Sequence, residues 1–320
     1  MKLIIQIPCL NEAESLPATL AALPKEIPGV DQIEILIIDD GSTDNTSAVA
    51  RQNGVQHVVR LTKRKGLAIV FATGLDACLK RGADIIVNTD ADGQYKGEDI
   101  PRLIQPILEG QADIVIGNRD IENVQQFSWI KKRLQRLGSW VVSQLAQSTV
   151  KDTTTGFRAY NREAALRLNI ISNYTYTLES IIQAEHKSLA VANITINTNH
   201  VDRPSRLFSS IPEYIKRSFV TIVRVYAMFN PFSLFIRLGS FFLLISGILG
   251  VRFVFDYLTT GGEGKIQSLI LMAILSIIGF QLVIVGILAD LISANRRLIE
   301  DMLLRVKKIE LRSKSDNNPL

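Results

Sequence analysis

Short runs of aliphatic and β-branched residues recur through the first half of the chain: KLIIQI (2–7), IEILII (33–38), QHVVRL (56–61), ADIIVNT (83–89) and ADIVIG (112–117). They are continuously apolar rather than alternating, as strands buried on both faces of a sheet must be. Between them, apolar positions recur at helical spacing over 12–22, 44–53, 66–81 and 98–110. Strands alternating with helices predict an α/β fold, a mostly parallel sheet covered by helices on both faces. Further helices are predicted over 127–148 and, as a pair, within 160–187, and VANITINT (191–198) predicts a later edge strand. Ser42 or Thr43 is placed to cap a helix starting near Asp44, and Gly82 to end the helix over 66–81 in a left-handed conformation.

The pattern changes beyond residue 230. A first apolar stretch, 234–255, is interrupted by Arg237 and Arg252, which leave 14 uncharged residues between them. A second, 266–289, runs for 24 residues without a charge, more than the roughly 20 that a membrane span needs. The two arginines lie near the ends of the first stretch, where their stems can snorkel to an interface. A short glycine-rich loop, TTGGEGK (259–265), joins the two stretches, so they predict a transmembrane hairpin.

Basic residues flank that hairpin. Arg203, Arg206, Lys216, Arg217 and Arg224 precede it, with Arg237 near its start; Arg296, Arg297, Arg305, Lys307, Lys308, Arg312 and Lys314 follow. The loop holds only Lys265, so the positive-inside rule puts the catalytic part and both termini in the cytoplasm. The expected organisation is a catalytic domain over 1–210, a juxtamembrane amphipathic helix over 211–231, two transmembrane helices over 232–292 and a charged cytoplasmic tail over 293–320. The segment 211–229 reads equally as an interfacial helix or a packed core helix. In the tail, Leu291, Leu298, Met302, Val306 and Ile309 offer an apolar stripe for contacts between copies, which predicts a homo-oligomer.

Composition narrows the function. The net charge of +5 is modest and gathers beside the apolar stretches, which favours a lipid surface and excludes nucleic acid as the expected partner. Cys9 and Cys78 are too few for a disulfide framework and form no metal-like pair. The apolar run after Lys2 is too short for a signal peptide and reads as a first strand. His57, His186 and His200 have no evident partners, and no Ser-His-Asp or Cys-His arrangement is visible.

Three polar clusters follow predicted strands: PCLNE (8–12), DDGSTD (39–44) and TDADGQ (89–94). Open α/β sheets bind ligands beyond the carboxyl ends of their strands, so these clusters are expected to share one cleft. Asp90 and Asp92, two residues apart on a turn, suit a hard divalent cation that diphosphate oxygens and water complete. Gln94 can add an amide oxygen. No GxxxxGK[ST] loop and no GxGxxG after the first strand is present, which excludes P-loop and dinucleotide binding of those kinds. Asp39 or Asp40 can accept from a base or ribose, and Lys65-Gly66, opening a helix, offers phosphate a charge and free N–H groups.

Together PCLNE, IIDDGSTD, KGLAIVFATGL, TDADGQ, Gly117-Asn118-Arg119 and DTTTGFR (152–158) resemble the successive motifs of family 2 glycosyltransferases of the GT-A, Rossmann-like fold. With the hairpin, the chain is similar to the polyprenyl-phosphate branch, which includes dolichyl-phosphate mannose synthases and undecaprenyl-phosphate glucosyltransferases. The resemblance implies a nucleotide site lined by Pro8, Leu10, Asn11, Glu12, Asp39, Asp40, Lys65, Asp90 and Ala91. It implies Mg²⁺ or Mn²⁺ at Asp90, Asp92 and Gln94. Arg119, Asp152 and Arg158 would lie near the sugar and acceptor as catalytic residues, with Arg203 and Arg206 on the acceptor phosphate.

The implied reaction is inverting transfer of a hexose, first UDP-glucose and next GDP-mannose, onto a polyprenyl phosphate at the bilayer. A flippase or a downstream glycosyltransferase would receive the product. A processive polysaccharide synthase has more spans and a Gln-x-x-Arg-Trp motif, which QRLGSW (135–140) does not match. A non-catalytic scaffold would not need Asp90, Asp92 and Gln94.

Overall fold

The computed structural model describes residues 1–119, 152–171, 176–199, 230–261 and 266–316, with 220, 223 and 227. The chain forms two compact units: Met1–Ile222 with Leu303–Leu320, and Val223–Met302.

Among the described residues of the first unit, seven strands form one sheet. They are β1 (Lys2–Cys9), β2 (Gln32–Asp39), β3 (His57–Arg60), β4 (Ile85–Asn88), β5 (Ile114–Arg119), β6 (Arg158–Asn161) and β7 (Val191–Ile196). Their order is β3-β2-β1-β4-β6-β5-β7. The five predicted early strands are present, and β7 lies at the edge beside β5, as its alternation predicts. β6 is the difference: it runs antiparallel between β4 and β5, inside an otherwise parallel sheet. Its four residues, with a charged first position, carry no strand period.

Among its described residues this unit also has helices α1 (Leu16–Ala21), α2 (Thr46–Gln52), α3 (Leu67–Lys80), α4 (Ile100–Leu108), α5 (Arg162–Arg167) and α6 (Thr177–His186). The predicted helix over 127–148 and the segment 211–219 lie outside the described residues. α3 ends as expected: Gly82 has φ +79, its N–H meets Leu79 O, and Ala83 N–H meets Cys78 O. These paired bonds satisfy the last carbonyls of the helix. α2 begins differently from expectation, because Ser42 and Thr43 bond to the loop after β1 and not to α2. Asp44 instead accepts from Thr46 N at 3.0 Å. The core lines the sheet with Leu3, Ile5, Ile7, Ile37, Ile85 and Val87, all at most 1% exposed.

The second unit is a helical hairpin of α7 (Pro231–Thr260) and α8, which runs on as Ile266–Asp316. Thirty residues of α7 span about 45 Å, longer than a hydrocarbon core of about 30 Å. Small residues bring the two backbones together: a Cβ on Gly239 would stand 2.9 Å from Gly279 O. Ser246 Oγ bonds Met272 O at 2.8 Å and Ser276 Oγ at 2.7 Å, so these two hydroxyls are satisfied between the helices. Leu244, Val251, Phe255, Leu258, Ile270 and Phe280 face outward. Both helices are long and apolar enough to cross a membrane, and this pair associates the protein with one.

α8 continues without a break into the expected tail, whose last turns belong to the first unit. There Lys308 pairs with Glu163 at 3.0 Å and Lys307 donates to Asn169 Oδ1 at 2.9 Å. The five tail residues read as an apolar stripe, Leu291, Leu298, Met302, Val306 and Ile309, are all exposed.

Gly97 packs against the end of α1, where an added Cβ would overlap the Ala22 carbonyl oxygen. Gly97→Ala is expected to cost about 1–3 kcal/mol through backbone displacement, read as a lower melting temperature by circular dichroism.

Candidate active site

β1, β2, β4 and β5 all end along one rim of the sheet. Antiparallel β6 begins there: Asn88, last in β4, pairs with Arg158, first in β6. The three polar clusters, Arg119 and the loop 152–157 therefore meet at one edge, the position at which open α/β sheets take their ligands.

The first two clusters are stitched to each other. Asn11 adopts φ 55, which asparagine tolerates better than most residues. Its Oδ1 accepts from Thr43 N at 2.8 Å, and its N–H donates to Ser42 Oγ at 2.9 Å. Glu12 N–H donates to Thr46 Oγ1 at 2.9 Å and Ala13 N–H to Asp44 Oδ2 at 3.1 Å. Pro8 and Leu10 stand half-buried beside them, and Glu12 is buried.

Asp39 is 1% exposed; it accepts from Ser42 N at 2.7 Å and from Ser47 Oγ, with Arg60 Nε 3.7 Å away. Asp40 accepts from Lys65 N at 2.6 Å and Gly66 N at 3.0 Å. The two amides expected to be free for phosphate are thus taken by a carboxylate of the chain itself, which suits the positive end of α3. Lys65 keeps an exposed side chain.

Ala91 is buried, and its carbonyl accepts from Thr19 Oγ1 at 2.9 Å. Asp92 Oδ1 accepts from Gln94 N at 3.1 Å. Asn199 holds the turn from outside, donating from its N–H to Gln94 O and from Nδ2 to Gly93 O, both at 2.9 Å. Asp90 lies against Gly156: a Cβ there would stand 3.0 and 3.2 Å from its two carboxylate oxygens. Its charge reaches several elements. Burial, with Glu12, Asp39, Asp44 and Asp90, raises the Cys9 thiol well above its ordinary range. Burial raises Tyr95 to about 12, with Arg119 opposing and Asp90 adding. Burial and then Asp90 raise Tyr176.

Arg119 forms a fork on Asp152. Nε donates to Oδ2 at 2.7 Å and Nη2 to Oδ1 at 3.2 Å, while Nη2 also donates to Thr154 Oγ1 at 2.8 Å. Asp152 is fully buried. Burial pushes its pKa up, but the Arg119 charge and the hydrogen bonds from Arg119 and Thr154 outweigh that and hold it below the ordinary value. Arg158, expected to face substrate, is fully buried beneath the loop and donates to protein acceptors only. Arg203 and Arg206 lie outside the described residues.

A model of glycosyl transferase family 2 matches residues 4–168. The chain belongs to this family. It is 33% identical over 184 residues to an undecaprenyl-phosphate mannosyltransferase of Micrococcus luteus, covering 55% of this chain and 74% of that one. It is 29% identical over 204 residues to a polyprenol monophosphomannose synthase of Mycolicibacterium smegmatis, covering 60% and 76%. Among solved structures it is similar in fold to a glucosyl-3-phosphoglycerate synthase of Mycobacterium tuberculosis, crystallised with Mn²⁺, UDP and glucosyl-3-phosphoglycerate. There the TM-score is 0.56 and the identity 21%, over 71% of this chain and 80% of that one. This glycosyltransferase thus carries the family's fold with a membrane hairpin.

The donor set fits a divalent cation. Among the described residues no three His, Cys, Asp or Glu side chains form a complete cage. Asp90 and Asp92 on one tight turn are what a Mg²⁺-type site shared with diphosphate oxygens requires.

The sequence reading missed the residues that hold this site. Gln6 Nε2 donates to Asn88 Oδ1 at 2.9 Å, and Asn88 Nδ2 donates to Gly156 O at 2.8 Å and Tyr176 OH at 2.9 Å. Gly156 N–H donates to Tyr95 OH at 3.1 Å. A signal was present: Gln6 and Asn88 are polar positions inside otherwise apolar strands, where a buried amide must find partners.

Asp152→Asn leaves Arg119 a buried cation without its carboxylate and is expected to cost about 3–5 kcal/mol near neutral pH. The folded pKa of Asp152 lies below 3.8, so its stabilisation is complete above the aspartate range and lost as pH falls through the folded value. Melts at a series of pH values should show the wild type and variant converging below about pH 4.

Proposed function

We propose that this glycosyltransferase transfers mannose from GDP-mannose to a polyprenyl phosphate at the membrane surface, with inversion at the anomeric carbon. Asp90, set against Gly156 of loop 152–157 on the sheet's rim, is the observation that carries the reading. The names of the two bacterial relatives favour mannose over the UDP-glucose first expected. Their acceptors, and the apolar hairpin, favour a lipid-borne phosphate.

In this reading the nucleotide lies along the stitched loops after β1 and β2, against Pro8, Leu10, Asn11 and Glu12. Asp39, buried and bonded to Ser42 N and Ser47 Oγ, shapes the wall against which the base and ribose lie. Asp40 serves indirectly, by holding Lys65-Gly66 so that the exposed Lys65 ammonium can approach phosphate. Asp90 and Asp92, with Gln94, hold Mg²⁺ or Mn²⁺, which when bound neutralises charge on the diphosphate. Arg119, fixed by its fork on Asp152, presents positive charge toward the same diphosphate without reorganising.

The acceptor phosphate is already anionic near neutral pH, so attack on the anomeric carbon needs no strong general base. Asp152 has both oxygens engaged and a depressed pKa, which suits a positioning residue better than a proton acceptor. Arg203 and Arg206 follow closely on Asn199, which is bonded to the Gly93–Gln94 turn, and are assigned to the acceptor phosphate. The catalytic unit and both termini face the cytoplasm, where the basic flanks of the hairpin meet anionic lipid.

The test is a transfer assay on full-length protein with GDP-mannose, UDP-glucose and UDP-N-acetylglucosamine, each with a polyprenyl phosphate and Mg²⁺ or Mn²⁺. GDP-mannose is expected to give mannosyl product, and exclusive use of a UDP-sugar would refute the donor assignment. Asp92→Asn is expected to lower turnover by more than about 100-fold, since even outer partners of a metal site cost 10–100-fold. Unchanged turnover would remove Asp92 from the cation site.

A further inference from the structure

Arg158 is a costly residue in its place. It is among the largest fully buried side chains of the protein, and among the described residues it has no carboxylate partner. An apolar side chain would fill the space without desolvating a charge. Four neutral acceptors surround the guanidinium. Nε donates to Thr155 O at 2.9 Å and Nη2 to Thr153 O at 3.0 Å. Nη1 donates to Thr177 O at 2.9 Å and Ser180 Oγ at 2.8 Å, both on the first turn of α6.

Those bonds bracket the two points where loop 152–157 touches the site. Thr154 lies between the two carbonyls that Arg158 grips; its Oγ1 accepts from Arg119 Nη2 and donates to Asp152 Oδ1 at 2.9 Å. Gly156 follows the second carbonyl. Its N–H is held by Tyr95 OH and its C=O by Asn88 Nδ2, from either side of the 90–94 turn, and the Asp90 carboxylate rests on its bare Cα. A planar fork can span alternate carbonyls and reach a helix on its far side, and an ammonium cannot.

We propose that Arg158 is the positioning residue of the transferase site, a buried clamp that fixes loop 152–157 and thereby sets the Asp90 carboxylate and the Arg119 fork together. It touches neither substrate nor cation. The proposal rests on the donor-site reading above, and it makes a prediction that simple destabilisation does not: loss of Arg158 weakens two chemically separate arms in parallel. Tyr95→Phe removes one support of Gly156 and weakens the cation arm. Thr154→Val removes one support of Arg119 and weakens the arginine arm.

The experiment uses full-length protein in detergent, well below its melting temperature. Retention of Mn²⁺ is followed by electron paramagnetic resonance with GDP and, separately, with UDP, and transfer kinetics are measured alongside. Arg158→Lys is expected to weaken Mn²⁺ retention about 10–100-fold. It should also raise the donor KM, as Thr154→Val does, and lower kcat. Arg158→Ala is expected to show the same double loss, with partial recovery on adding millimolar guanidinium and none with methylammonium.

If Arg158→Ala does not fold, Arg158→Lys decides. Wild-type Mn²⁺ retention and kinetics in Arg158→Lys would overturn the proposal, as would losses in Arg158→Ala that guanidinium leaves untouched. If the wild type retained no Mn²⁺ with either nucleotide, the donor-site reading would fall and this proposal with it. Equal behaviour of wild type and variants defeats the clamp alone.

Discussion

β6 runs antiparallel between β4 and β5, and the bonds it makes there fix where its preceding loop must lie. Parallel strands deliver their following loops to one rim. A reversed strand among them delivers its preceding loop to the same rim. Loop 152–157 is thereby pressed against the turn that carries Asp90 and Asp92. The contact is sealed by Asn88 and Tyr95, which take the carbonyl and amide of Gly156. These groups are dry, so each unmade bond would leave a polar atom desolvated without recompense. A network of this kind holds its geometry because partial satisfaction is expensive.

The same logic runs through the nucleotide side. Ser42, Thr43, Asp44 and Thr46 accept or donate across to the loop after β1, so neither loop has an independent conformation. Asp40 satisfies the amides at the start of α3. Several acidic and hydroxyl side chains of the motifs thus build the rim, and a smaller number remain to meet ligand. The hairpin obeys a different solvent. Its large apolar side chains point outward, the reverse of the first unit, and Ser246 and Ser276 turn inward to each other, because lipid rewards exposed hydrocarbon and punishes an unpaired hydroxyl.

Much of this was legible from the residue pattern. Continuous aliphatic runs marked β1, β2, β4 and β5, which the sheet's interior buries, and a shorter apolar run marked β3, half-buried at the edge. Gly82 ended α3 because a left-handed position favours glycine. The motifs at the strand ends had to share a rim because the strands are parallel. The 24-residue uncharged run had to lie in lipid or a deep core. In each case a local period or a single backbone conformation carries the information.

What tertiary structure decided concerns partners far apart in sequence. Nothing local distinguishes Arg158 as a buried clamp from Arg119 as a fork at the rim, since both are arginines in polar motifs. Their fates were set by which acceptors lay within reach: carbonyls of loop 152–157 and α6 for one, the Asp152 carboxylate for the other. β6 was hidden because four residues are too few to show a period, and only the gap between β4 and β5 makes them a strand. The sequence by itself determined the longer elements, the family's motifs and the membrane pair. The division of polar residues between scaffold and site waited for the fold, because a hydrogen bond depends on distance in space and a motif records only distance along the chain.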